Sequence, residues 1–444
     1  LQGPLSLAWV SACYALTGLG AVVAPIKPQQ TKDERSRSLT LTSAQYLLVL
    51  SHEVVSSSSM TLFPVDLGDR EIAHHSVNIR VDAEVLRRDS SERLPLQGWS
   101  WESPLFVICT SGTTGAPQAI PLCTRQLCIS AFGSAIRLGH QHNDQWLACL
   151  PPYHVGGLST ILRCALNQIT LHVVSAESSA IAEALPLSTL SSLTPTLLSD
   201  VCDVLERHPS LAERVAASSL RSILIGGGPT SLALWERAQE LSLPLRLTWG
   251  MSESASQLCT QLVAAPPLTP LPPLPFADIS QDDTSRLHVR GPLLAEGYLQ
   301  TGDNGQVSDE GIIVYGRSDD QIISGGLNIS PIELEETLLS HPLIKGVAVI
   351  GVPHERYGER PVAFIEVISH KESAKGLSRE REVGELSPSA LKAWCRERLS
   401  AYKVPDQFLI ISELPRSELG KLRRGALKQI YPYRNRSTTE GVTQ

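Results

Sequence analysis

Short apolar runs alternate along the chain with segments in which apolar residues recur every three or four positions. Three of these runs, Leu105 to Cys109, Ser222 to Ile225 and Leu245 to Thr248, predict buried strands. Residues 232–241, between the last two runs, have the spacing of a helix with one apolar face. This strand–helix–strand order predicts an α/β fold with a largely parallel sheet.

The pattern becomes irregular after the third run. A proline-rich stretch from Ala264 to Pro275 predicts a loop or surface crossing. Short strands are predicted beyond it at residues 287–289 and 312–315. These strands complete what we expect to be a large amino-terminal domain over residues 1–317.

A second, smaller unit is predicted from residue 319 to residue 444. Ser330, followed by Pro331 and by Glu333 three positions on, predicts a helix start with a capping box. The remaining predicted elements are strands at 346–352 and 362–367, a charged loop at 370–385 and a helix at 390–399. The mixture predicts a small α+β domain.

Residues 1–26 carry no charge and have the composition of a signal or membrane segment. No positive residue precedes them, and Gly18, Gly20 and Pro25 interrupt them. A buried helix at residues 7–19 and a short strand at 21–26 fit the pattern better. We therefore expect no stable membrane insertion.

Composition narrows the class of protein. The 444 residues exceed what one compact core accommodates. The net charge is −7 and no run of lysine or arginine occurs, which argues against a nucleic-acid partner. The nine cysteines stand singly, as expected of reduced thiols in a cytoplasmic protein. A homo-oligomer remains one alternative that the sequence leaves open.

A loop rich in hydroxyl residues and glycine follows the first predicted strand. It reads Thr110-Ser111-Gly112-Thr113-Thr114-Gly115-Ala116-Pro117. Its glycines allow turns that expose backbone N–H groups, and its hydroxyls add donors, which suits the phosphates of a nucleotide. The Gly-Lys-Ser/Thr of a Walker loop is absent. Taken alone, such a loop is as often a plain connector.

The two other predicted strands also end in residues that suit a nucleotide. Gly226-Gly227-Gly228 offers a slot for a flat base. Trp249-Gly250-Met251-Ser252-Glu253 supplies a ring for stacking and a carboxylate for Mg²⁺. Ligands bind at the carboxyl ends of parallel strands, so we expect the three segments to meet at one edge of the sheet.

More motifs follow in the carboxyl-terminal half. They are Thr301-Gly302-Asp303, Gly316-Arg317-Ser318-Asp319-Asp320 and Leu414-Pro415-Arg416-Ser417-Glu418-Leu419-Gly420-Lys421. With the earlier segments, they resemble in kind and order the adenylate-forming superfamily of acyl-CoA synthetases, luciferases and peptide-synthetase adenylation domains. The resemblance implies activation of a carboxylic acid with ATP, Mg²⁺ and CoA as ligands.

The resemblance also implies residue roles around the nucleotide. At the phosphates, Thr110 to Gly115 would hold the β- and γ-phosphates, Ser252 would contact the α-phosphate, and Glu253 would bind Mg²⁺. At the base, Gly226 to Gly228 would line the adenine slot, and Trp249 and Gly250 would border the adenine. Asp303 with Arg317 would bind the ribose. The alternatives are a surface acid at Glu253, a core residue at Trp249 and a simple ion pair between Arg317 and Asp319.

The small domain carries implied roles of its own. Lys421 matches the catalytic lysine of the superfamily, the alternative being an ordinary solvated lysine. Asp319 matches the hinge about which the small domain turns between acid adenylation and transfer to the thiol. Gly325 and Gly326 would then approach the pantetheine of CoA, where a glycine pair permits close backbone approach.

One position departs from the superfamily pattern. Its phosphate loop normally ends Pro-Lys-Gly, whereas this chain has Pro117-Gln118-Ala119. Gln118 retains a donor and loses a positive charge, worth about 1–3 kcal/mol beside phosphate. We expect weaker ATP binding or slower turnover rather than inactivity.

Another segment bears on which acid is activated. Residues 150–159 look like the corresponding segment of 2-succinylbenzoate–CoA ligases of menaquinone and phylloquinone synthesis, as do residues 254–257 with Ser256 and Gln257. Arg163 would pair with the second carboxylate of succinylbenzoate, the alternative being a structural ion pair. His154 would close the acid pocket and the thiol channel, the alternative being a packed core histidine.

Two other functions stay open on sequence grounds. A CoA ligase for another aryl or acyl acid would have the same motifs. A non-catalytic nucleotide-binding homologue is the second alternative, because of Gln118.

Overall fold

The structure is a computed structural model that describes residues 5, 7–18, 21–28, 32–42, 46–50, 60–64, 77–79, 100–110, 118–368, 386–417, 420 and 422–439. The strands of this part are β1 Tyr46–Leu50, β2 Met60–Pro64, β3 Val77–Ile79, β4 Pro104–Thr110, β5 Gln118–Cys123, β6 Gln145–Ala148, β7 Thr170–Val173, β8 Leu190–Leu193, β9 Ser222–Ile225, β10 Leu245–Met251, β11 Ser256–Thr260, β12 Asp278–Gln281, β13 Arg286–Arg290, β14 Tyr298–Ser308, β15 Gly311–Arg317, β16 Ile322–Ser324, β17 Leu327–Ile329, β18 Ile344–His354, β19 Gly358–Val367 and β20 Gln407–Ile411. Its helices are α1 Leu7–Gly18, α2 Lys32–Leu41, α3 Thr124–Leu138, α4 Val155–Asn167, α5 Ser178–Ala184, α6 Pro195–Arg207, α7 Pro209–Ala216, α8 Leu232–Glu240, α9 Pro331–Leu339, α10 Pro388–Arg396 and α11 Arg424–Thr439.

The central sheet of the large domain has six strands in the order β11-β10-β9-β8-β6-β7. Every neighbouring pair is parallel except β10 and β11. All residues of β8 and β9 are buried, as expected for strands covered by helices on both faces. The strands predicted at 222–225 and 245–248 are β9 and β10, and the predicted helix between them is α8. The α/β fold class is confirmed.

The strand predicted at residues 105–109 is β4, but it does not belong to the parallel sheet. It pairs antiparallel with β5, with Thr110 opposite Gln118. The loop at 111–117 therefore connects two strands of a hairpin, and the expectation that it follows a strand of the parallel sheet is wrong. The short strand predicted at 21–26 is reduced to a parallel bridge between Val23 and Phe106.

The other sheets of the described residues are mainly antiparallel. Strands β12 to β15 pair in chain order, because short turns connect them. In the small domain the order is β17-β16-β19-β18, and β20 adds in parallel to β19. Helices α9 and α10 pack on one face of this sheet through Leu338 and Leu391, and α11 packs on the other through Leu427. The α+β character of the small domain is confirmed, while the boundary at 317–319 stays a prediction.

The predicted helix start at Ser330 is correct, but its capping box does not form. Pro331 is the first residue of α9, and the Ser330 hydroxyl makes no capping hydrogen bond. It donates instead to the carbonyl oxygen of Tyr315 at 3.0 Å. The Glu333 carboxylate accepts from Lys403 at 2.6 Å. Tertiary partners have replaced both halves of the local motif.

The apolar amino-terminal segment is part of the core. The helix predicted at 7–19 is α1, and Trp9 and Cys13 on it are fully buried. Within the residues that the structure describes, no helix is long and apolar enough to span a bilayer. The charged loop predicted at 370–385 lies outside the described residues.

Candidate active site

The three glycines after β9 lie beside the amino terminus of α6. A Cβ atom on Gly226 would lie 2.9 Å from Cγ2 of Thr248, so this position has little room for a side chain. Gly227 and Gly228 are exposed, and a Cβ on either would meet nothing closer than 3.9 Å, at Thr194 and at the residue after it. The strand end therefore presents a bare backbone surface that a flat base fits.

Trp249, Asp303 and Arg317 are joined in one cluster. The indole N–H of Trp249 donates to Oδ2 of Asp303 at 3.0 Å, and Nη1 of Arg317 donates to Oδ1 at 3.3 Å. Gly302 leaves room for the guanidinium beside them, since a Cβ there would lie 2.2 Å from Nη2 of Arg317 and would displace it. Arg317 also lies 3.8 Å from the Asp319 carboxylate. The predicted ribose residues and the aromatic residue thus converge.

Glu253 stands in a strained turn between β10 and β11. Residues 252–254 form one 3-10 turn, after which Ala255 has φ 53° and Ser256 has φ 105°. Left-handed backbone at a non-glycine residue costs about 1–3 kcal/mol and concentrates at functional sites. Gly250 makes the turn possible, because a Cβ there would lie 1.7 Å from the carbonyl oxygen of Ser256.

A buried glutamine that sequence reasoning missed holds this turn. Nε2 of Gln126, on α3, donates to the backbone oxygens of Glu253 at 2.9 Å and Leu293 at 3.0 Å. Its Oε1 accepts from the backbone N–H of Cys123 at 3.1 Å. One side chain thus ties the end of β5 to the residue expected to bind the metal.

Two serines, also missed, hold the next residue of the turn. The hydroxyls of Ser130 on α3 and Ser159 on α4 donate to the carbonyl oxygen of Ala255 at 2.9 and 3.1 Å. The available signal was the four-residue spacing of Gln126, Ser130 and Ser134, which places a polar stripe on one face of a predicted helix. All three residues are buried.

Arg163 is the most unusual charge of the site. The residue is 2% exposed and, together with Ser130, Ser159 and Ala255, lines a narrow cleft that is too small in this structure to admit a water molecule. Its Nε and Nη2 have no hydrogen-bond partner. No ion pair joins it to a carboxylate in the described part of the chain, so the alternative of a structural ion pair finds no support. Burial lowers the pKa of Arg163 to about 10.

The Arg163 guanidinium lies by the ring of Trp146, which in turn contacts the ring of His140. Its central carbon lies 5.6 Å from the ring centroid of Trp146. The His140 ring meets the edge of Trp146 at a centroid distance of 5.5 Å. Burial, with a contribution from Arg163, lowers the pKa of His140 to about 4, so that this histidine is neutral near pH 7. A neutral histidine adds no repulsion to the arginine.

His154 is the N-cap residue of α4, the helix that carries Arg163. Its ring lies 4.7 Å from that of Tyr153. Gly157, one turn into the helix, has no room for a side chain, since a Cβ would lie 2.2 Å from the carbonyl oxygen of Pro151. The tight approach fixes where α4 begins and hence where both predicted substrate residues project.

Ser256 and Gln257 differ in their surroundings. Ser256 is half-buried and follows Ala255, which lines the Arg163 cleft. Gln257 is buried, and its Nε2 donates to Thr260 at 2.8 Å and Thr248 at 3.5 Å. The amide nitrogen of Gln257 thus donates hydrogen bonds to both strands of the β10–β11 pair.

Several predicted site residues lie outside the described residues. They are Ser111, Gly112, Thr113, Thr114, Gly115 and Lys421. Their described neighbours Thr110 and Gln118 end the β4–β5 hairpin, and Gly420 lies against Thr196 near the start of α6. The residue before Lys421 therefore meets the same helix terminus as the glycine slot.

Gly325 and Gly326 lie in the small domain with φ of 60° and 80°. The Gly325 N–H donates to the carbonyl oxygen of Tyr357 at 2.7 Å. Gly326 is exposed, and no described atom lies within 4 Å of where its Cβ would be. This turn can approach another surface closely.

The donor set at the site suits Mg²⁺ bound partly through phosphate. In the described part of the chain, no three histidine, cysteine or carboxylate side chains converge on one point. Glu253 is a single half-buried carboxylate in a turn. Magnesium sites on nucleotides commonly use one or two carboxylates and complete their shell with phosphate oxygens and water.

Comparison with known proteins gives the following matches. The family model of the AMP-binding enzymes matches residues 1–299, and that of the AMP-binding enzyme C-terminal domain matches residues 333–421. The 2-succinylbenzoate–CoA ligase of Bacillus mycoides is 33% identical over 394 residues, which cover 82% of this chain and 77% of that one. The ligase of the same name from Bacillus cereus is 32% identical over 400 residues with the same coverage.

Solved structures give a matching result. The O-succinylbenzoate coenzyme A synthetase of Bacillus subtilis in complex with ATP and magnesium ion has a TM-score of 0.74 at 27% identity, over 96% of this chain and 88% of that chain. The same enzyme in complex with the acyl-adenylate intermediate has a TM-score of 0.73 at 26% identity.

Proposed function

The chain belongs to the family of AMP-binding enzymes, and from that membership we infer that it is an AMP-forming acid–thiol ligase whose acid is 2-succinylbenzoate. It uses ATP and CoA and yields 2-succinylbenzoyl-CoA, AMP and pyrophosphate, a step of menaquinone and phylloquinone synthesis. The ligases of Bacillus mycoides and Bacillus cereus with this activity in their names support the choice of acid.

Arg163 is the single observation that carries the choice of acid. An unpaired guanidinium that is 2% exposed is unfavourable unless a ligand neutralises it. 2-Succinylbenzoate has two carboxylates, and only one of them is activated. We propose that Arg163 binds the other when the cleft widens around the acid, and that Ser256 and Gln257 also border the acid.

We propose that the nucleotide binds at the carboxyl ends of β9 and β10. Adenine lies on Gly226 to Gly228 and stacks on Trp249, with Gly250 and Ser252 along the path toward the α-phosphate. The ribose hydroxyls donate to Asp303, whose two oxygens are oriented by Trp249 and Arg317. Residues 110–115 hold the β- and γ-phosphates.

Glu253 is proposed to hold Mg²⁺ against the phosphates of ATP. The bound ion offsets the charge that accumulates on the leaving pyrophosphate. Gln126 fixes the backbone of Glu253, so the carboxylate needs little ordering when the ion binds. Lys421 is proposed to add a second positive charge at the same phosphates.

The reaction has two steps that use different parts of the chain. First, a carboxylate oxygen of the acid attacks the α-phosphorus of ATP, and the bond from that phosphorus to the bridging oxygen of pyrophosphate breaks. Next, the CoA thiol loses its proton and its sulfur attacks the acyl carbon, which releases AMP. We propose that His154 closes the pocket between the steps and that Gly325 and Gly326 border the thiol arm.

The test is incubation of the purified protein with ATP, Mg²⁺, CoA and a panel of acids, followed by mass spectrometry of the thioesters. The proposal expects 2-succinylbenzoyl-CoA, and a preference for 2-succinylbenzoate over benzoate and 2-methylbenzoate. Turnover of another acid alone would establish a different CoA ligase. A lack of ATP–pyrophosphate exchange with every acid would favour the non-catalytic alternative that Gln118 raises.

We also propose a cytoplasmic location. All nine cysteines are unpaired, and seven of them are buried. Thiols in this state are typical of a reducing compartment. We expect the protein to retain its activity in a strongly reducing buffer. We also expect mass spectrometry to show no cysteine–cysteine link in protein purified without reductant.

A further inference from the structure

The carboxyl-terminal part of the small domain rests on α6 of the large domain. A Cβ atom on Gly420 would lie 1.7 Å from Oγ1 of Thr196, and Gly420 has φ 76°, where glycine is favoured. Thr194 and Pro195, which precede Thr196, border the glycine slot. This contact is therefore specific to the present orientation of the two domains and lies next to the proposed adenine site.

Arg416 holds the chain around Gly420. Its Nη1 donates to the carbonyl oxygen of Gly420 at 2.9 Å. Its backbone forms an antiparallel bridge with Leu422, and the N–H of Arg423 donates to the carbonyl oxygen of Pro415 at 2.9 Å. The Arg416 guanidinium is thus anchored at the surface that meets α6.

An acidic residue of the large domain faces this surface. Asp200 lies one turn beyond Thr196 on α6, and residues four apart share a helix face. Burial of the Asp200 carboxylate and the neighbouring Asp203 raise its pKa, whereas Lys345 and Arg416 of the small domain act in the opposite direction. Two cations of one domain thus lie within electrostatic reach of one carboxylate of the other.

The other charges around this contact have partners of their own. Asp203 pairs with Arg237 inside the large domain. Lys345 pairs with Glu366 inside the small domain at 3.3 Å. In the described part of the chain, Arg416 forms an ion pair with no carboxylate. Among the described residues, Asp200 and Arg416 are thus opposite charges of separate domains that have no ion-pair partner, and their longer-range attraction depends on how the domains are oriented.

We propose that Asp200 and Arg416 form a docking pair that favours the domain orientation of the adenylation step, with both acting as positioning residues for the segment that carries Lys421. The proposal rests on the proposed function. An interaction made in only one of two orientations shifts the equilibrium between them by its own free energy. Rotation of the small domain separates the two charges, so the pair contributes to the first step alone.

The two half-reactions separate this role from a merely structural one. Asp200→Asn is expected to slow ATP–pyrophosphate exchange with 2-succinylbenzoate by about twofold to fivefold, the range of an attraction between partly exposed charges. Arg416→Gln is expected to slow it somewhat more, because it also removes the hydrogen bond to Gly420. Thioester formation from added 2-succinylbenzoyl-adenylate and CoA is expected to be unchanged or faster. Asp203→Asn is the matched control, because it removes a carboxylate of the same helix that pairs within its own domain.

A second experiment swaps the two charges between the domains. The double variant Asp200→Arg with Arg416→Asp is expected to recover exchange above the level of either single charge reversal. Equal slowing of both half-reactions, no slowing at all, or an equal effect of Asp203→Asn would overturn the docking pair.

Failure of the proposed function has a different signature. In that case the wild-type protein does not support exchange with 2-succinylbenzoate, and the same comparison is made with whichever panel acid it does adenylate. If no acid is adenylated, the docking pair is overturned together with the function.

Discussion

Replacement of Arg163 by methionine should change stability and activity in opposite directions. Methionine removes the charge but retains much of the side-chain volume. Burial lowers the pKa of Arg163 to about 10, and the lowering corresponds to about 3 kcal/mol of unfavourable free energy at pH 7, where the group is charged in both folded and unfolded chains. Loss of the contact with Trp146 offsets about 0.5–2 kcal/mol of this. We expect Arg163→Met to be about 1–2.5 kcal/mol more stable than the wild type.

The substrate should report the opposite effect. A hydrogen bond to a charged group contributes about 1.5–3 kcal/mol, so KM for 2-succinylbenzoate should rise by about tenfold to hundredfold. KM for ATP should remain within about twofold, since Arg163 does not touch the β9 or β10 ends. Urea unfolding measures the stability change, and pyrophosphate release at varied acid concentration measures KM. Arg163→Lys keeps the charge but not the planar guanidinium. Its KM for 2-succinylbenzoate should lie between those of the wild type and Arg163→Met.

A structural arginine would behave differently. Its removal would lower the midpoint of unfolding and leave the ratio of KM for 2-succinylbenzoate to KM for ATP unchanged. That result would refute the assignment of Arg163 to the second carboxylate. The sign of the stability change is therefore as informative as the kinetics.

Three further substitutions test other parts of the site. Gln118→Lys should lower KM for ATP by about fivefold to hundredfold, because it restores a charge worth about 1–3 kcal/mol, and an unchanged KM would show that this position does not contact the phosphates. Gly302→Ala should raise KM for ATP with little effect on KM for the acid, since its Cβ would displace the guanidinium of Arg317; pyrophosphate release at varied ATP measures this. Gln126→Leu should raise the Mg²⁺ concentration for half-maximal activity by about tenfold, because the backbone of Glu253 loses its buried donor; a fall in unfolding midpoint with unchanged Mg²⁺ dependence would contradict it.

Much of the fold followed from the sequence because local pattern and final burial agree in the central sheet. Strand β9 is apolar throughout and buried throughout. The β4–β5 hairpin was missed for the opposite reason. Residues 105–109 are as apolar as a parallel strand, and the pattern of one strand does not report which strand pairs with it. The capping box at Ser330 failed because Tyr315 and Lys403, both distant in sequence, compete for its two halves.

The sequence predicted the residues expected to contact the ligands, but not the residues that hold them in place. Trp249, Asp303 and Arg317 could be named from motifs, and the structure joins them by hydrogen bonds. Nε2 of Gln126 and the hydroxyl of Ser130 donate to backbone oxygens of residues distant in sequence. Their spacing indicates a polar helix face but not which residues it contacts. Their function depends on the packing of α3 against the turn at Glu253, which only the tertiary structure provides.

The carbonyl oxygen of Ala255 limits how the enzyme can be re-engineered for other acids. It accepts hydroxyls from Ser130 and Ser159, which also line the cleft of Arg163, and it lies two residues from Glu253. A larger side chain at either serine would reshape the proposed acid cleft and remove a hydrogen bond from the strained turn that presents Glu253, the proposed metal ligand. A substitution at either serine is therefore expected to change acid specificity and turnover together. Libraries directed at Leu127 and Leu162, which line the same cleft and pack in the same apolar cluster as Ala255 without a side-chain hydrogen bond to the turn, should retain more active variants.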